Sequence, residues 1–200
     1  MNRQLFDTYR RLLTIAEAGI FYGKDQFDQE RYRELKEISL QLLSKVSENS
    51  FTDLQKITEK DEGYPTPKVD VRAFIQKEDK ILLVQDAISE EWSLPGGYAE
   101  VGITPMENVR KEVFEETGLE VAVQELLAIF DTNLRGDIPQ LFQYYKLVFR
   151  CEVLSGEFQE NLETLQMDYF SLAELPALSK KRTTKEQLQQ LVTTKELICQ

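Results

Sequence analysis

Histidine is absent from all 200 residues. That excludes histidine-based triads, histidine zinc sites and an imidazole general base, so proton transfer falls to carboxylates, Lys, Tyr or metal-bound water. Cysteine is scarce: Cys151 and Cys199 are the two present, and they do not form a C-x-x-C pair. Cys151, inside an alternating apolar run, reads as a buried strand thiol. No apolar run is long enough to span a bilayer, and no apolar leader follows Met1-Asn2-Arg3, so a cytoplasmic location without a membrane partner is the expectation. Positive charge is also short. With 24 Lys and Arg against 35 Asp and Glu, the net charge is −11, which argues against a surface that coats nucleic acid. An acidic chain acting on an anionic substrate must supply local positive charge, and a bound metal is one way to do so.

The remaining composition, 42% hydrophobic and 30% charged, is that of a soluble globular chain with room for one large domain or a modest domain and an appendage. Leu5, Tyr9, Leu12, Leu13 and Ala16 recur at helical spacing from about Arg3 to Gly19, and Gly23-Lys24-Asp25-Gln26-Phe27-Asp28 breaks the pattern. A second helix is expected from an Asp28 cap, with Phe27 and Tyr32 as a staple and Tyr32, Leu35, Ile38, Leu42 and Val46 as its stripe. A shorter piece through Phe51, Leu54 and Ile57 follows. These helices form an N-terminal all-α domain over residues 1–60, and their exposed apolar stripes suggest a homodimer contact or a wall of the substrate pocket. Asp61-Glu62-Gly63-Tyr64-Pro65-Thr66-Pro67 reads as a linker (61–68). From residue 69 to 200 the period changes. Val69, Val71, Ala73 and Ile75 alternate, and Lys77–Lys80 turns into Ile81-Leu82-Leu83-Val84 as a hairpin. Val121–Ile129, Leu141–Val153 and Met167–Phe170 read as further strands, and Thr184–Leu197 as a last helix. The class is α/β with a mixed sheet.

The chemistry lies between Leu94 and Leu119. Leu94-Pro95-Gly96-Gly97 allows the backbone to turn closely around a ligand. Thr104, Pro105 and Glu107 then form a capping box with proline at the first helical position, and Gly118 sits where a left-handed cap ends the helix. At about 100° per residue, Glu112, Glu115 and Glu116 share a narrow arc beside Met106, Val109 and Val113, the stripe expected to dock on the core. Like charges so close disfavour ionisation unless a cation compensates, and oxygen-rich sites suit Mg²⁺ or Mn²⁺. The competing reading is a solvated acidic helix face.

The stretch resembles the Nudix box, G-x5-E-x7-R-E-U-x-E-E-x-G-U, where U is a bulky aliphatic residue. Gly97, Glu112, Val113, Glu115, Glu116, Gly118 and Leu119 match it. Ile103 stands where the box has Glu, and Lys111 where it has Arg, a change that keeps a cation but loses the bidentate fork. Glu100 is close enough in sequence to substitute for the missing acid. The N-terminal Leu13–Tyr22 run, Gly63–Arg72, Glu174–Ser179 and Arg182-Thr183-Thr184 are similar to the Nudix branch with a helical N-terminal domain.

The resemblance implies an α/β/α sandwich and metal-dependent hydrolysis of X-linked nucleoside diphosphates of the ADP-ribose or CDP-choline type. It also implies catalytic work by Glu112, Glu115, Glu116 and Lys111, with metal held by Gly97, Glu112, Glu115, Glu116 and one later acid. Of Glu160 and Glu163, Glu163 fits the branch better. Gly96, Gly97, Arg72 and Lys146 are candidate substrate contacts; for the two cations the competing reading is an exposed structural charge. Tyr98, Phe130, Tyr144 and Trp92 are candidates for stacking on a base, against a core role. A nucleotide-sensing regulator, favoured by Ile103 and Lys111, and a nucleoside triphosphate hydrolase are the alternative functions.

Overall fold

The computed structural model describes residues 2–61, 63–135 and 140–200; Met1 and Glu62 of the readings above lie outside them. The chain divides into two compact units, Met1–Pro67 with Arg135–Gln143, and Lys68–Leu134 with Tyr144–Gln200.

The first unit is helical: α1 (Arg3–Tyr22), α2 (Gln26–Ser44) and α3 (Phe51–Glu59). Its core is Phe6, Leu13, Leu40, Leu43 and Leu54, with Leu141 packed against it. Leu13 and Ala16 are buried as expected, but other positions of the two stripes are not. Leu5 and Ile38 are exposed, while Phe6 and Leu40 are buried, because α1 and α2 carry apolar residues on more than one face and packing selects between them. The cap of α2 is Asp25, whose side chain accepts from the N–H groups of Phe27 and Asp28, and Phe27 is exposed rather than stapled. Helix α1 runs to Tyr22 and is capped by Gly23, at the expected break, so Gly19 lies inside it. A Cβ there would lie 2.4 Å from the Tyr32 ring, so this glycine permits α1 and α2 to approach.

The second unit contains β1 (Lys68–Lys77), β2 (Lys80–Asp86), β3 (Trp92–Ser93), α4 (Pro105–Thr117), β4 (Glu120–Asp131), β5 (Tyr144–Ser155), β6 (Thr164–Ser171), α5 (Lys185–Thr193) and β7 (Ile198–Cys199). The order is β3-β2-β1-β5-β4-β7, with β6 against β2. The sheet is mixed: β1 runs parallel to β5, and β4 antiparallel to it. Val109 and Val113 of α4 share one core with Val71, Ala73 and Ile75. Leu188 and Leu191 of α5 share the other with Phe74, Phe130 and Trp92. Helices thus cover both faces, the α/β/α sandwich. Met106, expected to dock with Val109, is exposed, and Asn108 is buried in that arc instead. Strand β5 begins at Tyr144 rather than Leu141, and α5 stops at Thr193 so that Ile198 and Cys199 can pair with β4. Cys151 is buried in the α4-side core, and burial pushes its thiol up to about 12.

One detail of the sheet positions the site. The β1–β2 pairing holds at Gln76↔Ile81 and Lys77↔Lys80, leaving the start of β1 with a free edge. The loop after β3 takes that edge: Val71 N–H donates to Gly97 O (2.8 Å), Ala73 N–H to Pro95 O (2.9 Å) and Ala99 N–H to Val69 O (3.0 Å). Backbone groups otherwise buried unpaired are satisfied in this way.

The Gly19 contact is testable. Gly→Ala inside a helix ordinarily stabilises by up to about 1 kcal/mol. Gly19→Ala should instead lower stability by roughly 1–3 kcal/mol through overpacking against Tyr32, read as a drop in the urea midpoint; a rise would show that Tyr32 yields freely.

Candidate active site

Helix α4 is set as its sequence prescribes. Thr104 and Glu107 close the capping box, Pro105 follows at the first turn, and Gly118 ends the helix at φ 76°. Asn108 fixes the entry to it. Its Oδ1 accepts the Glu100 N–H at 2.8 Å, and its Nδ2 reaches the carbonyls of Glu100 and Thr104 at 3.4 and 3.3 Å. Sequence reasoning misses Asn108, although a polar residue inside an apolar helical arc is itself a signal.

The three glutamates differ in setting. Glu116 is buried and its Oε2 accepts the Gly96 N–H at 2.8 Å. Glu112 is half-buried, and a Cβ on Gly97 would lie 2.6 Å from its Oε2. The absent side chain is therefore what lets the carboxylate close on the loop. Gly96 holds φ 135°, and a Cβ there would strike Val71 O. Glu115 is exposed, with Lys111 Nζ 2.6 Å from its Oε2. The same ammonium lies 3.1 Å from Glu100 Oε1, so Lys111 joins Glu100 to the helix, and its pKa is held above the ordinary value by Glu115 and Glu100. Ile103, at the position of the missing acid, is exposed.

Electrostatics link these groups. Burial raises the pKa of Glu112, Lys111 lowers it, Glu115 raises it, Arg72 lowers it and Glu163 raises it again. Glu116 is pushed up to about 7 by burial, against the pull of Arg72 and of the Gly96 N–H, with Glu112 raising it and Arg182 lowering it further. The exposed Glu163 is thus within electrostatic reach of Glu112 although it comes from the loop before β6. Among the described residues no three acidic, cysteine or histidine side chains are drawn together as a ready metal cluster. The donor chemistry nevertheless fits a hard divalent cation: carboxylate oxygens that raise one another's pKa beside a glycine turn. The Gly97 carbonyl already accepts from Val71, so it has one remaining lone pair to offer.

Two cations differ from the exposed setting considered for them. Arg72 is 6% exposed. Its Nε and Nη2 lie 2.8 and 3.1 Å from the two Asp70 oxygens, and Nη1 donates to Leu94 O at 3.1 Å. Lys146 is 4% exposed and donates to the carbonyls of Lys181 and Arg182. Both sit in a strand buried on both faces, where a charge persists when partners neutralise it. Asp70 is missed by sequence reasoning because alternation marks that face of β1 as solvated. Trp92 and Phe130 are core residues, whereas Tyr98 is 64% exposed and stacks on Tyr144 with ring centroids 5.6 Å apart.

Known proteins share this arrangement of sequence. Residues 3–58 match the family model of the UDP-X-like, N-terminal oligomerisation domain, and residues 66–191 match that of the NUDIX domain. The chain belongs to the Nudix family. It is a Nudix hydrolase, a class that works with a divalent metal. YjhB of Bacillus subtilis (strain 168), provisionally named an ADP-ribose pyrophosphatase, is 40% identical over 182 residues, covering 91% of this chain and 88% of that one. The crystal structure of a UDP-X diphosphatase is 38% identical with TM-score 0.63, covering 98% of each chain. An ADP-ribose pyrophosphatase from Streptococcus suis 89-1591 is 41% identical with TM-score 0.61, over 68% of this chain and 100% of that one. Among the described residues of this Nudix chain no helix is long and apolar enough to cross a membrane.

Beside the site, Asp86 at the end of β2 accepts from Ile88 N–H, Ser89 N–H and Ser89 Oγ, and pairs with Arg182 at 2.7 Å. Partial burial raises its pKa, but the Ser89 hydrogen bonds, Arg182 and the Ile88 N–H outweigh it and hold the carboxyl at about 2. A depressed folded-state value stabilises above the unfolded value near 4 and is lost as pH falls through about 2. The shift corresponds to about 2 kcal/mol. Urea unfolding should therefore find Asp86→Asn less stable than wild type by about that much at pH 6, with the gap closing between pH 4 and 2. Parallel curves would contradict this role.

Proposed function

We propose that this Nudix hydrolase cleaves the P–O–P bond of X-linked nucleoside diphosphates of the ADP-ribose or CDP-choline type, giving a nucleoside monophosphate and phosphorylated X. The observation that carries the reading is the closure of the glycine loop on α4, with Gly96 N–H on Glu116 and Gly97 bare beneath Glu112. The names of the two ADP-ribose pyrophosphatases and of the UDP-X diphosphatase support this choice of substrate class.

Glu112, Glu115 and Glu116, with Glu163 from the later loop and the Gly97 carbonyl, are the proposed ligands of Mg²⁺ or Mn²⁺. When bound, such an ion neutralises the diphosphate and lowers the pKa of a water molecule. The protein's own contributions are distinct. The Gly96 N–H fixes one oxygen of Glu116, and Lys111 fixes Glu115. Arg72, keyed by Asp70 and by Leu94 O, stands behind Glu116 and Glu112 as a counter-charge rather than as a substrate arm. Glu112, half-buried with a raised pKa, is the candidate general base. The helical unit, matching a family described as an oligomerisation domain, is the proposed contact of a cytoplasmic homodimer.

Initial rates on ADP-ribose, CDP-choline, a UDP-sugar and nucleoside triphosphates, each with Mg²⁺ or Mn²⁺, test the reading. Turnover of a linked diphosphate ahead of the triphosphates is expected, with AMP and ribose 5-phosphate as the products from ADP-ribose. Thermal stabilisation by nucleotide without turnover would favour a sensing role. Glu116→Gln should reduce kcat by about 100-fold. Gly97→Ala should do so by a similar order, because its Cβ displaces Glu112 by a distance near 1 Å, a shift that costs about 10²-fold. An active Gly97→Ala variant with unchanged kcat would remove Glu112 from the chemistry.

A further inference from the structure

In a chain of net charge −11, clustered carboxylates repel a diphosphate, and any side chain that adds to the attraction of the proposed metal ion must still face solvent. Arg72 is buried on Asp70 and the Leu94 carbonyl. Lys111 bridges Glu100 and Glu115. Lys146 is buried beneath two backbone carbonyls. Arg182 has a side chain 43% exposed, against 37% for Lys111; it pairs with Asp86 through Nη1 and, unlike Lys111, lies within electrostatic reach of the buried Glu116.

The turn that carries Arg182 is built into the loop of the site. Arg182 N–H and Thr183 N–H both donate to Ser179 O, at 2.9 and 2.8 Å. Ser179 N–H donates to Trp92 O at 2.8 Å, and Leu94 N–H donates to Thr183 Oγ1 at 3.0 Å. Ser179, Thr183 and Thr184 are all buried. Leu94 also accepts from Arg72, and two residues on lies Gly96, whose N–H holds Glu116. The Arg182 backbone is thereby registered against the carboxylates through short, buried hydrogen bonds.

Lys146 adds a second observation. Burying an ammonium costs several kcal/mol even when it is well partnered, and this one donates to the carbonyls of Lys181 and Arg182 themselves. A cation there also adds positive potential beneath the backbone of the turn. Above it stands a guanidinium whose planar fork matches phosphate oxygens and whose orientation Asp86 fixes at 2.7 Å.

We propose that Arg182 is the side chain that binds the substrate's diphosphate, on a turn that Lys146 positions from below. The inference rests on the reading of the site as one for linked nucleoside diphosphates. It changes the part given to Lys146, which acts through Arg182 rather than by reaching substrate.

The test uses the full-length chain with Mg²⁺. Binding of α,β-methylene ADP-ribose is measured by calorimetry, and KM and kcat for ADP-ribose by initial rates, for wild type, Arg182→Gln and Arg182→Lys. Loss of a charge-assisted contact predicts a Kd and KM about 10- to 100-fold higher for Arg182→Gln, with kcat within about threefold. Arg182→Lys should recover part of the loss, as a point charge without the fork. Kd and KM within about twofold of wild type in Arg182→Gln, or a fall in kcat alone, would overturn the assignment. Analogue binding that depends on Arg182 without turnover in wild type would leave this inference standing and remove the hydrolase reading; wild-type turnover with an unaffected Arg182→Gln would do the reverse.

Discussion

The site depends on one buried contact, the hydrogen bond from the Gly96 N–H to the Glu116 carboxylate. It ties a loop that has no periodic structure to the most buried acid of α4. Each partner is held independently. The loop is held by three backbone bonds to the free edge of β1. The helix is held by its capping box, by Asn108 and by Val109 and Val113 in the core. An acid this deep is driven towards protonation by burial and by Glu112. The Gly96 N–H and the Arg72 guanidinium work against that drive. Arg72 in turn is tolerable inside the sheet because Asp70 neutralises it. The chain of dependence therefore runs from an ion pair on β1, through the loop, to the helix.

Local features were legible in the sequence and non-local ones were not. The capping box, the first-turn proline and the glycine cap of α4 each concern residues within a few positions of one another, and all are present. The arc of Glu112, Glu115 and Glu116 follows from helical geometry alone. Arg72 and Asp70 are two apart on an alternating strand, where the pattern signals a wet face; the Leu94 loop meets Arg72 there and α5 packs farther along the same face at Phe74, and no local pattern announces either. Lys146 was misread for the same reason. In the first unit, apolar residues lie on more than one side of α1, so periodicity alone permits Leu5 or Phe6 as the core position. Packing against α2, through Gly19 and Tyr32, decides for Phe6.

The two departures from the box acquire physical meaning. Lys111 does not orient the buried acids. It sits at the exposed edge, clamped between Glu100 and Glu115, and a point charge is adequate to bridge two solvated carboxylates. Glu116, the deepest of the acids, is instead met by Arg72 and Arg182, on other elements altogether. With Ile103 exposed and the entry loop held by Asn108, the geometry near the junction does not require an acid at that position.

The loop that closes on Glu116 also covers a strand edge. Val69, Val71 and Ala73 direct their outward backbone groups into it, and β1 is buried on both faces from Asp70 to Ile75. A loop displaced by heat or by mutation would uncover a short, hydrogen-bond-hungry template of the kind that recruits other chains into β-structure. In this architecture the same segment guards colloidal integrity and assembles the carboxylates, so loss of function and self-association would share one opening event.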